Sequence, residues 1–294
     1  NTGAITHYQY NDEVVEGDPR NRENSFHFPL EIQEPFELDE TKRTRVFYDS
    51  HQLVPTSMEN AEGHSTNALI DYRTLSIQRL TDINENVSEA LTDELGMVIA
   101  TTMYGTEENE DGEEFLNGDL AIEEYTRNDP QNIQAIIERP HEFLQGASSF
   151  FYYDLNAWTD RQEPPQFISI VRETHARKLE DNQETVVHIA LGYSDGFGRE
   201  LQQQIKVEAG ISYLSDEQGG LVIDAIGVAL KEEVEERWLS SGRTVYNNKQ
   251  KPFKQYEPYY INSPAYLSEE EITKIGLSPT IYYDPLMRVI KTLT

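Results

Sequence analysis

Polar turn groups recur in the first third of the chain at intervals of eleven residues. Each of the positions Asp49, Asn60, Asp71, Asp82 and Asp93 opens or lies within such a group. Asn, Asp and Gly favour turns because their side chains bond the local backbone or because they tolerate positive φ. The residues between the groups are enriched in Val, Ile, Leu, Thr and Tyr, so the spacing predicts a run of β-hairpins with a repeat of about 22 residues. The alternative is coincidence, since Asp, Glu and Asn are common throughout the chain.

Three later segments also predict hairpins. In residues 185–210, Asp195-Gly196 and Gly198 supply the connection. We expect one core-facing set, Val187, Ile189, Leu191 and Tyr193 on the first strand with Leu201, Gln203, Ile205 and Val207 on the second. We expect the remaining positions of the second strand to face water: Glu200, Gln202, Gln204, Lys206 and Glu208. Asn247-Asn248 and Asp284-Pro285 predict two further turns.

Two segments carry helical patterns. In "RNDPQNIQAIIER", Asp129 is the expected N-cap, Pro130 the first helical residue, and Ile133, Ile136 and Ile137 the apolar face; Pro140 is expected to end the helix. In "AIGVALKEEVEERWLSS", the apolar residues have helical spacing, but a β structure with a turn over residues 224–227 fits equally well.

The charge balance limits the classes of partner. The chain has 53 acidic and 24 basic residues and a formal net charge of −29. Such a surface repels nucleic-acid phosphates and anionic lipids, so we expect neither nucleic-acid binding nor direct membrane binding.

The absence of cysteine excludes disulfides and thiolate metal sites. The chain contains no run of apolar residues long enough to span a bilayer and no signal peptide at its start. Both ends, Asn1 and Thr294, look cut, so a fragment of a longer protein is expected.

Two acidic segments raise the question of calcium. Residues 106–124 hold nine acidic side chains and no basic one, which fits a calcium site but fits a solvated loop better. Asp82, Asn84 and Asn86 spell D-x-N-x-N, but the sixth position is Val87 instead of Gly and the twelfth is Asp93 instead of Glu. We therefore predict no metal-binding residues, and no cofactor.

No pattern of catalytic residues rises above the background of carboxylates. Neither a nucleophile elbow, a metal-binding His pair nor a phosphate-binding Gly loop is present in the sequence. His175 and His188 both lie in strand patterns, where cross-strand contacts explain them best. We predict that this segment is not an enzyme, with no catalytic or cofactor-binding residue.

Several strings carry a resemblance to a known family. "YSDGFGRELQQQIKVEAG", "SGRTVYNNKQKPFKQYEPYY", "DYRTLSIQRLTDINENVSEALTDELGMVIATTMYG" and "YYDPLMRVI" resemble segments of the B subunit of insecticidal Tc toxin complexes. These are bacterial proteins of the SpvB/TcdB type, related to Rhs and YD-repeat proteins. The resemblance runs through nearly the whole chain but covers only a minor part of a B subunit. One departure is Met287, where the usual YD-repeat turn has Gly.

The resemblance implies a mainly β fold of antiparallel YD/Rhs-type hairpins, with one or two short helices, that forms part of a wound β-shell. It implies YD-like hairpin repeats in residues 1–105, an acidic loop with a short helix in 106–146, and further hairpins of the same wall in 147–294. In that family the shell encloses a cytotoxic C-terminal polypeptide and is secreted. The C subunit is the shell partner and source of the cargo, and the A subunit forms the pore. The propeller and the self-cleaving protease site of the family are expected to lie outside this segment.

Two further expectations accompany the shell assignment. A YD-repeat adhesin or contact-dependent toxin carrier would share the hairpins and is the alternative function. The tyrosines next to turn carboxylates are expected to form recurring ladder contacts within the wall: Tyr48, Tyr72, Tyr153, Tyr193 and Tyr283.

Overall fold

Antiparallel β-strands joined by short turns form most of the structure, a computed structural model that describes residues 6–10, 28–33, 42–181, 183–216 and 219–293. The described residues fall into two compact units. Unit 1 contains those up to Thr126 together with those of Gln145–Ser148 and Thr174–Gln183. Unit 2 contains those of Arg127–Leu144, Ser149–Glu173 and from Glu184 onwards.

Unit 1 is a meander in which each strand pairs antiparallel with the next along the chain. Its strands are β1 (His7–Tyr10), β2 (Pro29–Gln33), β3 (Thr44–Tyr48), β4 (Pro55–Glu59), β5 (Ser65–Asp71), β6 (Ser76–Thr81), β7 (Val87–Thr92), β8 (Val98–Glu108) and β9 (Glu114–Gly118). Two 3₁₀ turns, Ile122–Glu124 and Ala176–Lys178, belong to the same unit. Sequential antiparallel pairing needs only tight connections, which the eleven-residue spacing provides.

Unit 2 combines two sheets with four short helices. Its elements are α1 (Ile133–Glu138), α2 (Pro140–Leu144), β10 (Ser149–Asp154), α3 (Ala157–Arg161), β11 (Gln166–Arg172), β12 (Val187–Ser194), β13 (Glu200–Val207), β14 (Gly210–Tyr213), β15 (Lys231–Val234), β16 (Arg237–Ser240), β17 (Thr244–Tyr246), β18 (Pro252–Gln255), β19 (Tyr259–Ile261), α4 (Glu269–Ile275), β20 (Thr280–Tyr283) and β21 (Val289–Leu293). The larger sheet runs β10-β11-β12-β13-β16-β19, with β14 bridging β15 and β19. The smaller sheet runs β17-β18-β20-β21.

The two units differ in how many side chains they bury. Unit 2 has an apolar core in which Phe143 and Leu144 of α2 are buried with Phe150 of β10, and the rings of Phe143 and Phe150 lie 5.6 Å apart. Between Thr44 and Thr92 in unit 1, by contrast, only Asp49, Ile70 and Val87 are buried. The strands β3 to β6 therefore form a sheet one layer thick, whereas the 3₁₀ turn Ile122–Glu124 lies against β7, where the amide of Ile122 donates to Oε2 of Glu89 at 2.9 Å.

The predicted fold class, mainly β with antiparallel hairpins, is confirmed. The described residues contain four short α-helices instead of the one or two expected. The predicted three-part division at residues 105 and 146, which concerned repeat content, stays a prediction.

The eleven-residue spacing corresponds to turns at all five positions. At Asn60, Asp82 and Asp93 the amide of the first residue donates to the carbonyl four residues on, over 2.8 to 2.9 Å. The residue three positions on has positive φ: +85° at Gly63, +63° at Glu85 and +83° at Gly96. This is the three-residue hairpin connection, a type I turn followed by a left-handed residue. The same pattern recurs later in the chain at Asn109, Asp195, Asp224, Asn247 and Asp284. Asp49 and Asp71 begin longer variants, with positive φ at Gln52 and Leu75.

The facing of β13 was predicted wrongly. Tyr193 pairs with Gln202 and Leu191 pairs with Gln204, and directly opposite residues share a face. Gln202 and Gln204 are therefore buried, at 1% and 0% exposure, while Ile205 is 42% exposed. A bulge opposite Tyr193 and Ser194 shifts the register by one residue. The β13 side chains that were expected to face water therefore face the core, and those expected to face the core point the other way. Inside the core, Gln204 Nε2 donates to the carbonyl of Ala265 at 3.1 Å.

The helix near residue 130 begins later than predicted. Asn132, not Asp129, is the N-cap, and its side chain accepts a hydrogen bond from the amide of Ala135 at 2.9 Å. Asp129 instead pairs with Arg127 at 2.9 Å. The expected apolar face is confirmed, since Ile133, Ile136 and Ile137 are buried. Pro140 does follow the end of α1, and it begins α2.

The ambiguous segment before residue 241 is β structure. Strands β15 and β16 occupy it, and residues 224–227 form the turn of the β alternative. Pairing of β15 with β14 and of β16 with β13 overrides the local helical spacing.

Met287 occupies the left-handed position of its turn. Its φ is +67°, and the amide of Asp284 donates to the carbonyl of Arg288 at 2.9 Å, as in the glycine-containing turns. The departure from Gly noted in the sequence therefore leaves the turn type unchanged. A residue with a Cβ is strained in this region of φ.

We expect the substitution Met287→Gly to raise the free energy of unfolding by roughly 0.5 to 1 kcal/mol, because it removes the left-handed strain. The matched control is Leu286→Gly, at an exposed neighbouring position without positive φ, which should lower stability by roughly 0.5 kcal/mol or more. Urea unfolding monitored by circular dichroism measures both. Equal losses in the two variants would contradict the assigned turn geometry.

Candidate functional site

The recurring turns place an Asp or Asn side chain where it can cap the backbone. At Asp82 and Asp93, Oδ1 accepts from the amides two and four residues on, at 2.8 to 2.9 Å. Asn60, Asn109 and Asn247 make the same two bonds. One acceptor oxygen is enough to accept both amides. The Asp and Asn side chains therefore act as structural caps of their turns.

Asp49 is the most constrained of these caps. Its Oδ1 accepts from the amides of Leu53 and Val54 at 2.7 and 3.0 Å, and its Oδ2 accepts from the amide of His51 at 2.9 Å and from the hydroxyl of Tyr72 at 3.1 Å. Burial works to raise the pKa of Asp49, but these hydrogen bonds outweigh it and lower the pKa to about 2. The charged form is therefore the form that the fold requires.

Two of the later turns add a cation. Arg199 forms ion pairs with Asp195 in the same turn, and Arg288 Nε lies 2.7 Å from Oδ2 of Asp284. Burial acts to raise the pKa of Asp195, and the bonds from Arg199 overcome it and lower the pKa. The amide and side chain of Arg288 lower the pKa of Asp284. Both carboxylates are held charged for the turn.

The sequence analysis considered calcium binding in two acidic segments. In the structure, each of these segments forms a hairpin turn or hairpin strands. Asp82 uses Oδ1 for two amides and Oδ2 for the side chain of Asn86 at 3.0 Å. Most of the acidic stretch at 106–124 forms the β8–β9 hairpin and the turn at Asn109. Within the described ranges, no group of three or more His, Asp or Glu side chains is placed to hold a metal ion.

A polar node in unit 1 brings together residues that the sequence analysis treated separately. Asp119, which is fully buried, accepts from His175 Nδ1 at 3.0 Å, from the amide of Ala176 at 2.7 Å and from the hydroxyl of Ser148. Ser148 in turn accepts from the amide of Met103 at 3.0 Å. The node joins three segments of unit 1 that are far apart in the chain.

This node resembles a catalytic triad in composition but not in geometry. A triad needs the serine hydroxyl to bond the histidine, whereas here both Ser148 and His175 bond the carboxylate of Asp119. The prediction that His175 lies in a strand is wrong, because β11 ends at Arg172 and His175 precedes a 3₁₀ turn. His188 does lie in a strand, β12, with Glu173 at 4.0 Å.

The tyrosines beside turn carboxylates do not form a ladder with one another. The rings of Tyr48, Tyr72 and Tyr193 contact Phe28, His51 and Tyr266, respectively. Their common feature is the hydroxyl. Those of Tyr48, Tyr193 and Tyr283 donate to proline carbonyls, at Pro29, Pro264 and Pro252, and that of Tyr72 donates to Asp49. Each of these four tyrosines thus ties a turn to a neighbouring segment.

No helix in the described ranges combines the length and the apolar character that crossing a membrane would require. No family model matches the chain, and no curated protein matches it by sequence.

Solved structures do match. The crystal structure of TcdB2-TccC3 is similar over 91% of this chain, with a TM-score of 0.76 and 28% identity. The same complex without its hypervariable C-terminal region matches over 91% with a TM-score of 0.76 and 23% identity. The Photorhabdus luminescens Tc holotoxin pore matches over 92% with a TM-score of 0.74 and 23% identity. The chain has the fold of a Tc toxin segment. It spans 12% to 14% of the matched chains.

We expect Asp49→Asn to lower the free energy of unfolding by about 1 to 3 kcal/mol, because the amide NH₂ replaces an oxygen that accepts two donors. The matched control is Asp93→Asn, which should change stability by less than about 0.5 kcal/mol, since Asn already fills that role in three turns. Urea unfolding at pH 7 measures both variants.

The pH dependence adds a second check. A lowered pKa gives stability that is present above the usual value and is lost as the carboxylate protonates. The advantage of the unmodified chain over Asp49→Asn should therefore shrink as the pH falls from 3.8 towards about 2. An advantage that does not change over that interval would contradict the charged cap.

Proposed function

We propose that this chain is a segment of the wall of a hollow β-shell in a Tc toxin B subunit, and that the shell encloses and helps to deliver a cytotoxic C-terminal polypeptide. The similarity to TcdB2-TccC3 over 91% of the chain supports this assignment.

The single-layer sheet of unit 1 is the observation that carries the proposal. A β-sheet in a globular domain normally buries one face against a second layer. Here β3 to β6 bury only Ile70 fully, and large side chains stand exposed on both faces: Leu69 at 56% and Met58 at 49%. A sheet with two accessible faces is suited to separate two compartments.

The partners follow from the same assignment. A C subunit would complete the shell and supply the cargo, and an A subunit would form the pore. The matched structures include a complex of TcdB2 with TccC3 and a holotoxin pore, which supports this set of partners. Secretion of the assembled toxin belongs to the same proposal. The net charge of −29 disfavours nucleic acid and anionic membranes as partners of this segment.

The segment acts as structure and not as an enzyme. Its turn carboxylates are occupied by backbone amides, and the Asp119 node holds three segments together with its serine turned to the carboxylate. These contacts give the side chains involved a structural role, which supports the proposal.

The test is to co-express the full-length parent with its neighbouring genes, purify the complex, and examine it by electron microscopy and mass spectrometry. We expect a hollow particle that contains a cleaved C-terminal polypeptide resistant to added protease. A solid or extended particle with no enclosed chain would refute the shell, and it would favour a YD-repeat adhesin or toxin carrier instead.

A further inference from the structure

A groove with a volume of about 450 Å³ opens on the smaller sheet of unit 2. Its lining comes from strands β18 and β20 and from the turns that follow β17 and β20. We call it the small-sheet groove and define it by five of its lining residues: Lys249, Phe253, Ile281, Tyr283 and Met287. Ile281 and Tyr283 are alternate residues of β20 and therefore share one face of the sheet. The volume lies in the range of pockets that receive ligands.

The opposite face of the smaller sheet is engaged within unit 2. Thr280 precedes Ile281 on β20 and so points to the other side, together with its cross-strand partner Lys254. Lys254 Nζ lies 3.1 Å from Oε1 of Glu269 in α4. The face that carries the groove is therefore the one turned away from α4.

Apolar side chains stand exposed around the groove. Val289 pairs with Tyr283, so it points to the same side, and it is 58% exposed. Leu286, in the turn that bounds the groove, is 74% exposed. Exposed apolar groups that cluster at a concave site are typical of an interaction surface.

Met287 supplies the groove with an apolar side chain from a strained backbone position. Its φ is +67°, whereas turns of the same form at Asp93 and Asp195 have Gly96 and Gly198 at this position. Backbone strain of this kind is often kept at sites that bind a ligand. A methionine side chain is flexible and adapts to partners of irregular shape. The strained residue is therefore also a residue that suits a binding surface.

The charge of the smaller sheet is opposite to that of the chain. Its strands and turns, residues 244–255 and 280–293, hold five basic residues and one acidic residue, although the net charge of the chain is −29. The acidic residue, Asp284, lies 2.7 Å from Arg288 Nε. Lys249 and Lys251 are exposed, and neither forms an ion pair with any residue in the described ranges. Two exposed lysines beside an apolar groove favour a partner that carries carboxylates.

We propose that the small-sheet groove docks an acidic segment of a partner polypeptide, with a large apolar side chain in the groove and carboxylates on Lys249 and Lys251. This inference does not rest on the shell assignment, because it uses only the smaller sheet of unit 2. A buried apolar anchor with charges at its rim is the usual arrangement of a protein interface.

Charge complementarity selects a short acidic segment over a long polyanion. Electrostatic attraction to the lysines acts over about 8 Å at physiological salt. A short segment stays within that range of the smaller sheet. Nucleic acid extends beyond it and meets the acidic remainder of the chain, which repels phosphates.

Fluorescence anisotropy of labelled peptides with the purified full-length parent tests the site. The probe peptide has Glu and Asp residues around a central Leu-Phe pair. One control peptide has Lys in place of every acidic residue, and the other has Ser in place of the Leu-Phe pair. We expect the probe to bind at least about tenfold more tightly than either control, because the site needs both opposite charge and apolar burial.

Substitutions at the groove then locate the binding. Lys249→Glu should weaken binding of the probe at least about tenfold, because it replaces an attraction by a repulsion. The matched control is Lys178→Glu, at an exposed lysine of unit 1, which changes the net charge equally and should leave the affinity within about twofold. Met287→Gly should weaken binding by roughly fivefold, because an apolar wall of the groove is lost. Since the same substitution is expected to stabilise the turn, unfolding would not explain that loss.

Four results would overturn the proposal. Failure of the probe to bind, or equal binding of the acidic and basic peptides, would remove the charge argument. Binding that survives both Lys249→Glu and Met287→Gly would place the peptide elsewhere. Tighter binding of a single-stranded oligonucleotide or of anionic lipid vesicles would exclude a polypeptide as the preferred partner. Self-association of the parent that the probe displaces would assign the groove to a second copy of the chain.

Discussion

Hydrogen bonding between an Asp or Asn side chain and the backbone of its own turn is the interaction on which the rest of the structure depends. Most of these turns span five residues, with a longer variant at Asp49, and each reverses the chain and sets the register of the next strand. Asp49 shows the strongest form, with four donors on one carboxylate. Because β3 to β6 have only Ile70 fully buried, hydrophobic burial contributes little to their arrangement, and the turns and the backbone hydrogen bonds between strands fix it.

The features that could be predicted from the sequence depend on local hydrogen bonds. The features that could not be predicted depend on contacts with distant parts of the chain. The turns at Asn60, Asp82 and Asp93 were predictable because their hydrogen bonds lie within five residues. Even Met287, which breaks the glycine rule, adopts the expected turn. The fold class followed from the same regularity.

The failures have a common cause. The facing of β13 depends on a bulge in its pairing with β12, where Leu201 is skipped between Glu200 and Gln202, and alternation within β13 does not reveal it. Strands β15 and β16 owe their conformation to β14 and β13. The Asp119–His175 bond joins residues 56 positions apart, and no local pattern marks either one. The helix cap at Asn132 was missed because Asp129, the better-looking candidate, is engaged by Arg127.

The meander of unit 1 also limits how such a wall can change its size. Each strand from β3 to β7 pairs only with the strands next to it in sequence, so one hairpin can be added or removed without disturbing a shared core. Gain or loss of a single strand would reverse the direction of everything that follows, whereas a pair of strands leaves it unchanged. Walls of this construction are therefore expected to lengthen and shorten in steps of two turns, with the permitted increment fixed by chain direction.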